Sequence, residues 1–234
     1  MNVGIRRDRR DGMVSPMSGP GRHKVTRRRS GPAKQLGRPP GSSAEETVAR
    51  LVEAAQVHFG THGYSGARMT EIAAAAGITH SSTYQYFASK RELYQAAFHA
   101  ALAELLPEYM DAINIDGPLR EKIKAIFLAS ARTHERKPTI TPFLASIPIE
   151  IRRHPDLVPS LQEGAELLTA LIEMFSQARR HGEIPTEAND MDLIMAFLGS
   201  AMGIGLLSHG LPQSKMGAAV DILLAAFDGE LFKD

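Results

Sequence analysis

The sequence predicts an all-α chain of about nine helices. Three observations carry this. From residue 44 onward, apolar residues recur at the three- and four-residue spacing of one helix face. No run of alternating β-branched residues reaches strand length. Glycine and proline pairs break the pattern at Asp116-Gly117-Pro118, Lys137-Pro138, His154-Pro155, His181-Gly182 and His209-Gly210-Leu211-Pro212.

The first helix opens at Ser43, which stands three residues before Glu46 in capping-box spacing. Val48, Leu51, Val52, Ala55 and Phe59 then share a face, and Gly60 and Gly63 are expected to end it. The same habit returns at Leu161, Leu168, Leu171, Ile172 and Phe175, and at Val220, Leu223, Leu224 and Phe227. No repeat of solenoid length is visible.

With 234 residues, the chain has room for one or two domains, and a 43% hydrophobic content supplies a sizeable core. The absence of cysteine excludes a disulfide framework, a thiolate metal site and a cysteine nucleophile. The longest uncharged apolar run, Leu193 to Leu207, is shorter than the roughly 20 residues of a membrane span and reads as a buried helix. No apolar stretch follows the N-terminal arginines, so no secretory signal is expected. The expectation is a soluble, cytoplasmic protein with no membrane partner.

Charge is unevenly spread. Residues 1–40 hold 11 Lys/Arg against Asp8 and Asp11, a local +9, so the other 194 residues carry −8 of the net +1. This stretch is rich in Gly, Pro and Ser and lacks a helical period. Residues 1–43 are therefore read as a disordered basic arm, too poor in apolar surface to offset its chain entropy. A basic arm on an acidic body fits a polyanion, most simply nucleic acid. A solubilising tail, or a start at Met13 or Met17, accounts for the same composition. Arg38, between Gly37 and Pro39-Pro40, has the extended setting of an arginine that enters a narrow minor groove.

Residues 68–92, RMTEIAAAAGITHSSTYQYFASKRE, carry the chemistry. Met69, Ile72 and Ala73 to Ala76 make a short helix whose small side chains let a second helix cross closely. Gly77 supplies the left-handed residue that stops it. Ile78 plugs the turn, and Thr79 caps a short helix over 80–86. Ser89 and Glu92 repeat the capping-box spacing and open the next helix at Lys90. Helix, Gly-containing turn and short helix make a helix-turn-helix.

The second helix of such a unit enters the major groove N-terminal end first. His80, Ser81, Ser82 and Gln85 then reach base edges: Gln bonds adenine bidentately, and Ser and His donate or accept. Thr79, Tyr84, Tyr86 and Lys90 suit phosphate contacts, as does Arg68 at the start of the preceding helix.

These residues resemble the TetR family of bacterial transcriptional regulators. The matching pieces are ARLVEAAQVHFGTHGY, MTEIAAAAGIT and TYQYFASKREL, about residues 44–98, with Tyr84, Phe87 and Ser89-Lys90 the most diagnostic. The family more often has Gly or Pro at Ser81, Leu at Thr83, His at Tyr86 and Thr at Ala67. The resemblance implies a helix-turn-helix DNA-binding domain over 44–98. It also implies an all-α domain over 99–234 that dimerises and binds a small-molecule effector. The implied function is a homodimeric repressor released from a palindromic double-stranded operator by its ligand.

Within residues 99–234, the last two helices, about 189–208 and 213–232, are the implied dimer face. Leu193, Phe197, Gly203, Leu206, Leu223, Leu224 and Phe227 are its candidates, and Gly199, Gly203 and Gly205 fit a close helix crossing there or inside the subunit, or a kink shaped by a ligand. Phe127, Phe143, Met174, Phe175 and Phe197 are candidate pocket residues, with ordinary core packing the alternative. The segment ITPFLASIPIEIRRHPDL has three prolines, predicting a bent helix at the pocket mouth.

Two other function classes have weaker support in the sequence. Glu150 and His154 have metal-ligand spacing, but no Gly-rich phosphate loop, nucleophile elbow or zinc-protease motif accompanies them. No catalytic residue, metal or cofactor is expected. An architectural DNA protein acting through its arm would owe its binding to residues 1–40.

Overall fold

The computed structural model describes residues 43–158, 165–211 and 215–232. Within them the chain forms nine α-helices and no strand: α1 Ala44–Gly66, α2 Met69–Ala75, α3 His80–Thr83, α4 Lys90–Ile113, α5 Leu119–Arg136, α6 Ile140–Arg153, α7 Ala165–Arg180, α8 Asp190–Gly210 and α9 Met216–Phe227. The basic arm, Arg38 included, lies outside the described residues apart from Ser43.

Helix α1 starts on a complete capping box. Ser43 Oγ accepts from the Glu46 N–H, and Glu46 Oε2 accepts from the Ser43 N–H, both at 3.0 Å. The face carrying Leu51, Ala55 and Phe59 is fully buried. The helix does not stop where the glycines predict. Gly60 lies inside it, at a crossing with α6: a Cβ there would sit 3.1 Å from the Phe143 amide nitrogen. Gly63 breaks the helical path at φ 68°, ψ 174°, and one further turn runs to Gly66. A close crossing, not termination, is what Gly60 provides.

Two apolar cores organise the nine helices. One gathers Leu51, Ala55 and Phe59 of α1, Met69 and Ile72 of α2, Ile78 of the turn, Leu93, Tyr94 and Phe98 of α4, and Ile140, Phe143 and Ile147 of α6. The other gathers the far half of α4 with α5, α7, α8 and α9, around Phe127, Leu171, Met174 and Phe175. Helix α4 spans the expected boundary at 98–99 without interruption and contributes to both cores.

The proline-rich segment forms a continuous helix, α6, from Ile140 to Arg153, and two of its three prolines lie inside that helix. Pro142 is the third residue of the helix, where an N–H has no partner to lose. Pro148 removes only the bond to the Leu144 carbonyl. Pro155 falls after the helix, at the start of a 3₁₀ turn over 155–158.

Helix α8 also departs from its reading as a buried helix. It is 21 residues long, and by length and composition could cross a membrane, yet only 17% of its apolar window is buried within the chain. The glycines divide accordingly. A Cβ on Gly205 would lie 2.4 Å from Thr141 Cγ2 and 3.5 Å from Met216 Sδ, so this glycine serves packing inside the subunit. Gly199 and Gly203 have nothing within 4 Å of a Cβ.

Candidate nucleic-acid interface

Helix α2 buries Met69, Ile72 and Ala73 and leaves Glu71, Ala74 and Ala75 outside. Gly77, at φ 73°, turns the chain so that the Ile78 N–H bonds back to the Ala73 carbonyl at 3.0 Å. Ile78 is thereby driven inward, 2% exposed. The Thr79 hydroxyl accepts from the Ser82 N–H at 3.1 Å and opens α3.

The α-helical part of this unit is shorter than expected, His80–Thr83 instead of 80–86. The chain continues through tighter turns: the Gln85 N–H bonds to the Ser82 carbonyl at 3.1 Å and the Tyr86 N–H to the Thr83 carbonyl at 3.0 Å. Thr83 is the inward residue of α3. It is fully buried, and its hydroxyl donates to the Thr79 carbonyl at 3.4 Å, so the polar atom that replaces a family leucine is satisfied locally. Phe87 is buried in the first core at 7% exposure.

His80, Ser81, Tyr84 and Gln85 remain exposed along one edge of this short unit. The His80 ring meets the Tyr84 ring edge-on, with centroids 5.2 Å apart. Ser82 is half-buried, its hydroxyl 2.7 Å from Thr79 Oγ1, so its outward reach is reduced. The Thr79 hydroxyl is likewise held by the cap, with Ser81 Oγ 3.0 Å away. Tyr86 leans half-buried on the first core. Arg68 is exposed, with 76% of its side chain accessible, and pairs with Glu71 at 3.5 Å.

Lys90 sits at a corner that the sequence did not reveal. Its ammonium donates to the Ser65 carbonyl at 3.2 Å and lies 5.0 Å from the Tyr64 ring centroid. Burial pushes its pKa below the ordinary lysine value, and the Glu150 carboxylate opposes that fall. Glu150 itself is 3% exposed. Its Oε2 accepts from the Tyr64 N–H at 3.1 Å and lies 3.8 Å from His154 Nε2, and its Oε1 accepts from Arg153 at 3.4 Å. The Glu150–His154 pair that suggested a metal thus belongs to a helix–helix joint, and no cluster of three or more such ligands occurs among the described residues. Nothing local in the sequence joins Tyr64 to a residue 86 positions later.

The candidate pocket residues do not converge on one cavity. Phe127, Met174, Phe175 and Phe197 border a space of only about 10 Å³. Phe143 packs elsewhere, against Tyr94 in the first core. Larger hollows lie beside them. A groove of about 220 Å³ is lined by Phe98, Leu102, Leu144, Pro148, Leu198 and Met202, among others. A cleft of about 470 Å³ is bordered by Arg120, Lys124, Leu193, Phe197 and Phe227. Among the dimer candidates, Leu193, Phe197, Leu223 and Leu224 lean half-buried on the second core, while Phe227 is 40% exposed. Leu206, also a candidate, is exposed on the open face of α8 beside Met195, Gly199 and Leu207, and Ile222 is exposed on α9.

Residues 51–97 match the family model described as bacterial regulatory proteins, tetR family. The HTH-type transcriptional regulator YezE of Bacillus subtilis is 24% identical over 163 residues, 68% of this chain and 83% of that protein. The HTH-type transcriptional repressor KstR2 of Mycobacterium tuberculosis is 31% identical over 80 residues, 34% of this chain and 40% of that protein. The fold is similar to that of the regulator FadR of Bacillus subtilis in complex with stearoyl-CoA, with TM-score 0.62 at 15% identity over 79% of this chain and 99% of that one.

Proposed function

We propose that the chain is a TetR-family bacterial transcriptional regulator, a reading supported by the match of residues 51–97 to that family's model, and that it acts as a homodimeric repressor that a small apolar effector releases from a near-palindromic operator. One observation carries the DNA-reading part: His80, Ser81, Tyr84 and Gln85 stand exposed on an edge that Ile78, Thr83 and Phe87 anchor from beneath. Donors and acceptors on a rigid, narrow edge suit the major groove, whose base pairs present distinct hydrogen-bond patterns. Arg68 and Lys90 flank that edge as phosphate contacts that set register.

The second copy is argued from α8. A helix this apolar and this open needs a cover, and its stripe of Met195, Gly199, Gly203 and Leu206 has room for a facing helix. Two copies related by a twofold axis present two reading edges, separated by about 34–36 Å for successive major grooves. The effector site is placed in the groove lined by Phe98, Leu102, Leu144, Pro148, Leu198 and Met202, which is almost wholly apolar. A ligand there releases DNA only by favouring an arrangement with the wrong separation, and only by as much as its affinities for the two arrangements differ.

A gel shift of the full chain on DNA from upstream of its own gene tests the reading. The expected result is binding tighter than to a scrambled duplex of equal length. Equal affinity for both duplexes overturns it.

A further inference from the structure

We infer that Glu150, a residue of the helical body, is a positioning residue for DNA binding, acting through Tyr64 and Ser65 on Lys90. This rests on the proposed role of Lys90 as a phosphate contact. A buried carboxylate is costly unless it is hydrogen-bonded and paired. Glu150 is 3% exposed, and the group it serves is a backbone N–H on the far side of a helix break. Gly63 leaves helical geometry, and the Tyr64 N–H opens the last turn of α1 just beyond that break. Glu150 Oε2 caps it at 3.1 Å. The positive φ of 68° at position 63 favours glycine, and a Cβ there would be 2.8 Å from Glu150 Oε1.

The turn held in this way is the seat of Lys90, whose ammonium bonds to the Ser65 carbonyl and lies over the Tyr64 ring. His154 supports the same turn, with its Nε2 2.8 Å from Ser65 Oγ and its ring 5.1 Å from that of Tyr64. Arg91 pairs with Asp156 beside it. The end of α6 therefore fixes where the first cation of α4 points. Remove the carboxylate and the turn loses its cap, Lys90 loses its seat, and one phosphate contact is lost from each reading head.

The test measures operator affinity against salt for the full-length protein, using the upstream duplex and its scrambled counterpart. Each phosphate contact contributes about 0.9 to the slope of log K on log salt. Glu150→Ala is expected to lower the slope by about 1 per reading head and affinity by about tenfold, as Lys90→Ala does. The double variant should lose no more than either single one. Glu150→Gln keeps an acceptor for Tyr64 and should recover part of the loss. Leu171→Ala, which trims the body's core, lowers the melting temperature and leaves the slope alone. An unaltered slope in folded Glu150→Ala, an unaltered slope in Lys90→Ala, or additive losses in the double variant each overturn the inference. Failure of the wild type to prefer the upstream duplex counts instead against the proposed function.

Discussion

Gly205 of α8 and Thr141 of α6 meet so closely that a Cβ on the glycine would lie 2.4 Å from the threonine Cγ2. Thr141 cannot retreat easily, because its hydroxyl is 3.1 Å from His134 Nδ1 on α5. Gly205→Ala should therefore destabilise the subunit by about 1–3 kcal/mol, the usual cost of overpacking a core. The gain of about 1 kcal/mol in helix propensity offsets only part of it. Chemical denaturation reads the difference, and an unchanged midpoint would show that α6 and α8 part without cost.

The other two glycines of α8 should behave oppositely. A Cβ at Gly199 or Gly203 meets nothing within 4 Å in one chain. Leucine at either position should leave the subunit folded and weaken the proposed dimer, because a larger side chain would hold the two copies apart. Sedimentation across a concentration series checks this. Dimers as tight as the wild type in both variants would place the seam elsewhere.

Base readers and phosphate contacts separate by their specificity. His80→Ala or Gln85→Ala should change which operator is preferred, by about 1–3 kcal/mol at the contacted base pair. Tyr84→Ala should weaken all sequences more evenly, and it also removes the ring against which His80 rests. Binding to a randomised operator library distinguishes the outcomes, and an unaltered preference in both His80 and Gln85 variants would remove these residues as readers.

Stability should fall in mild acid through His134. Burial holds its pKa below the ordinary 6.5, with His209 adding to the fall and Glu135 opposing it. The unfolded chain then binds the proton more readily than the folded one. This part of the stability is intact above about pH 6.5 and is lost as pH drops from there through the folded value. His134→Gln should flatten the decline in melting temperature between neutral and mildly acidic pH. An equally steep decline in that variant would assign it to other groups.

Much of the reading head was legible because its signals are local. The capping box at Ser43, the turn at Gly77 and the cap at Thr79 each involve residues a few positions apart, and each is formed as the spacing predicts. Signals of the same type misled where tertiary packing decides. Gly60 looked like a terminator and is a crossing point with α6; the prolines suggested a bent helix, and α6 runs continuously through Pro142 and Pro148. Apolarity predicted the length of α8 but not its face, since Leu193 and Phe197 turn inward while Met195 and Leu207 stay out. The Glu150 corner was invisible because its partners are separated by 86 residues.

Helix α6 sits in the body of the chain by order, yet Ile140, Phe143 and Ile147 are buried with the reading head. A chimera that transplants only residues 44–98 onto a relative's body would leave Phe59 and Tyr94 facing a foreign wall. An exchange of DNA specificity between such proteins therefore has to carry α6 along, or restrict itself to the exposed edge from His80 to Gln85.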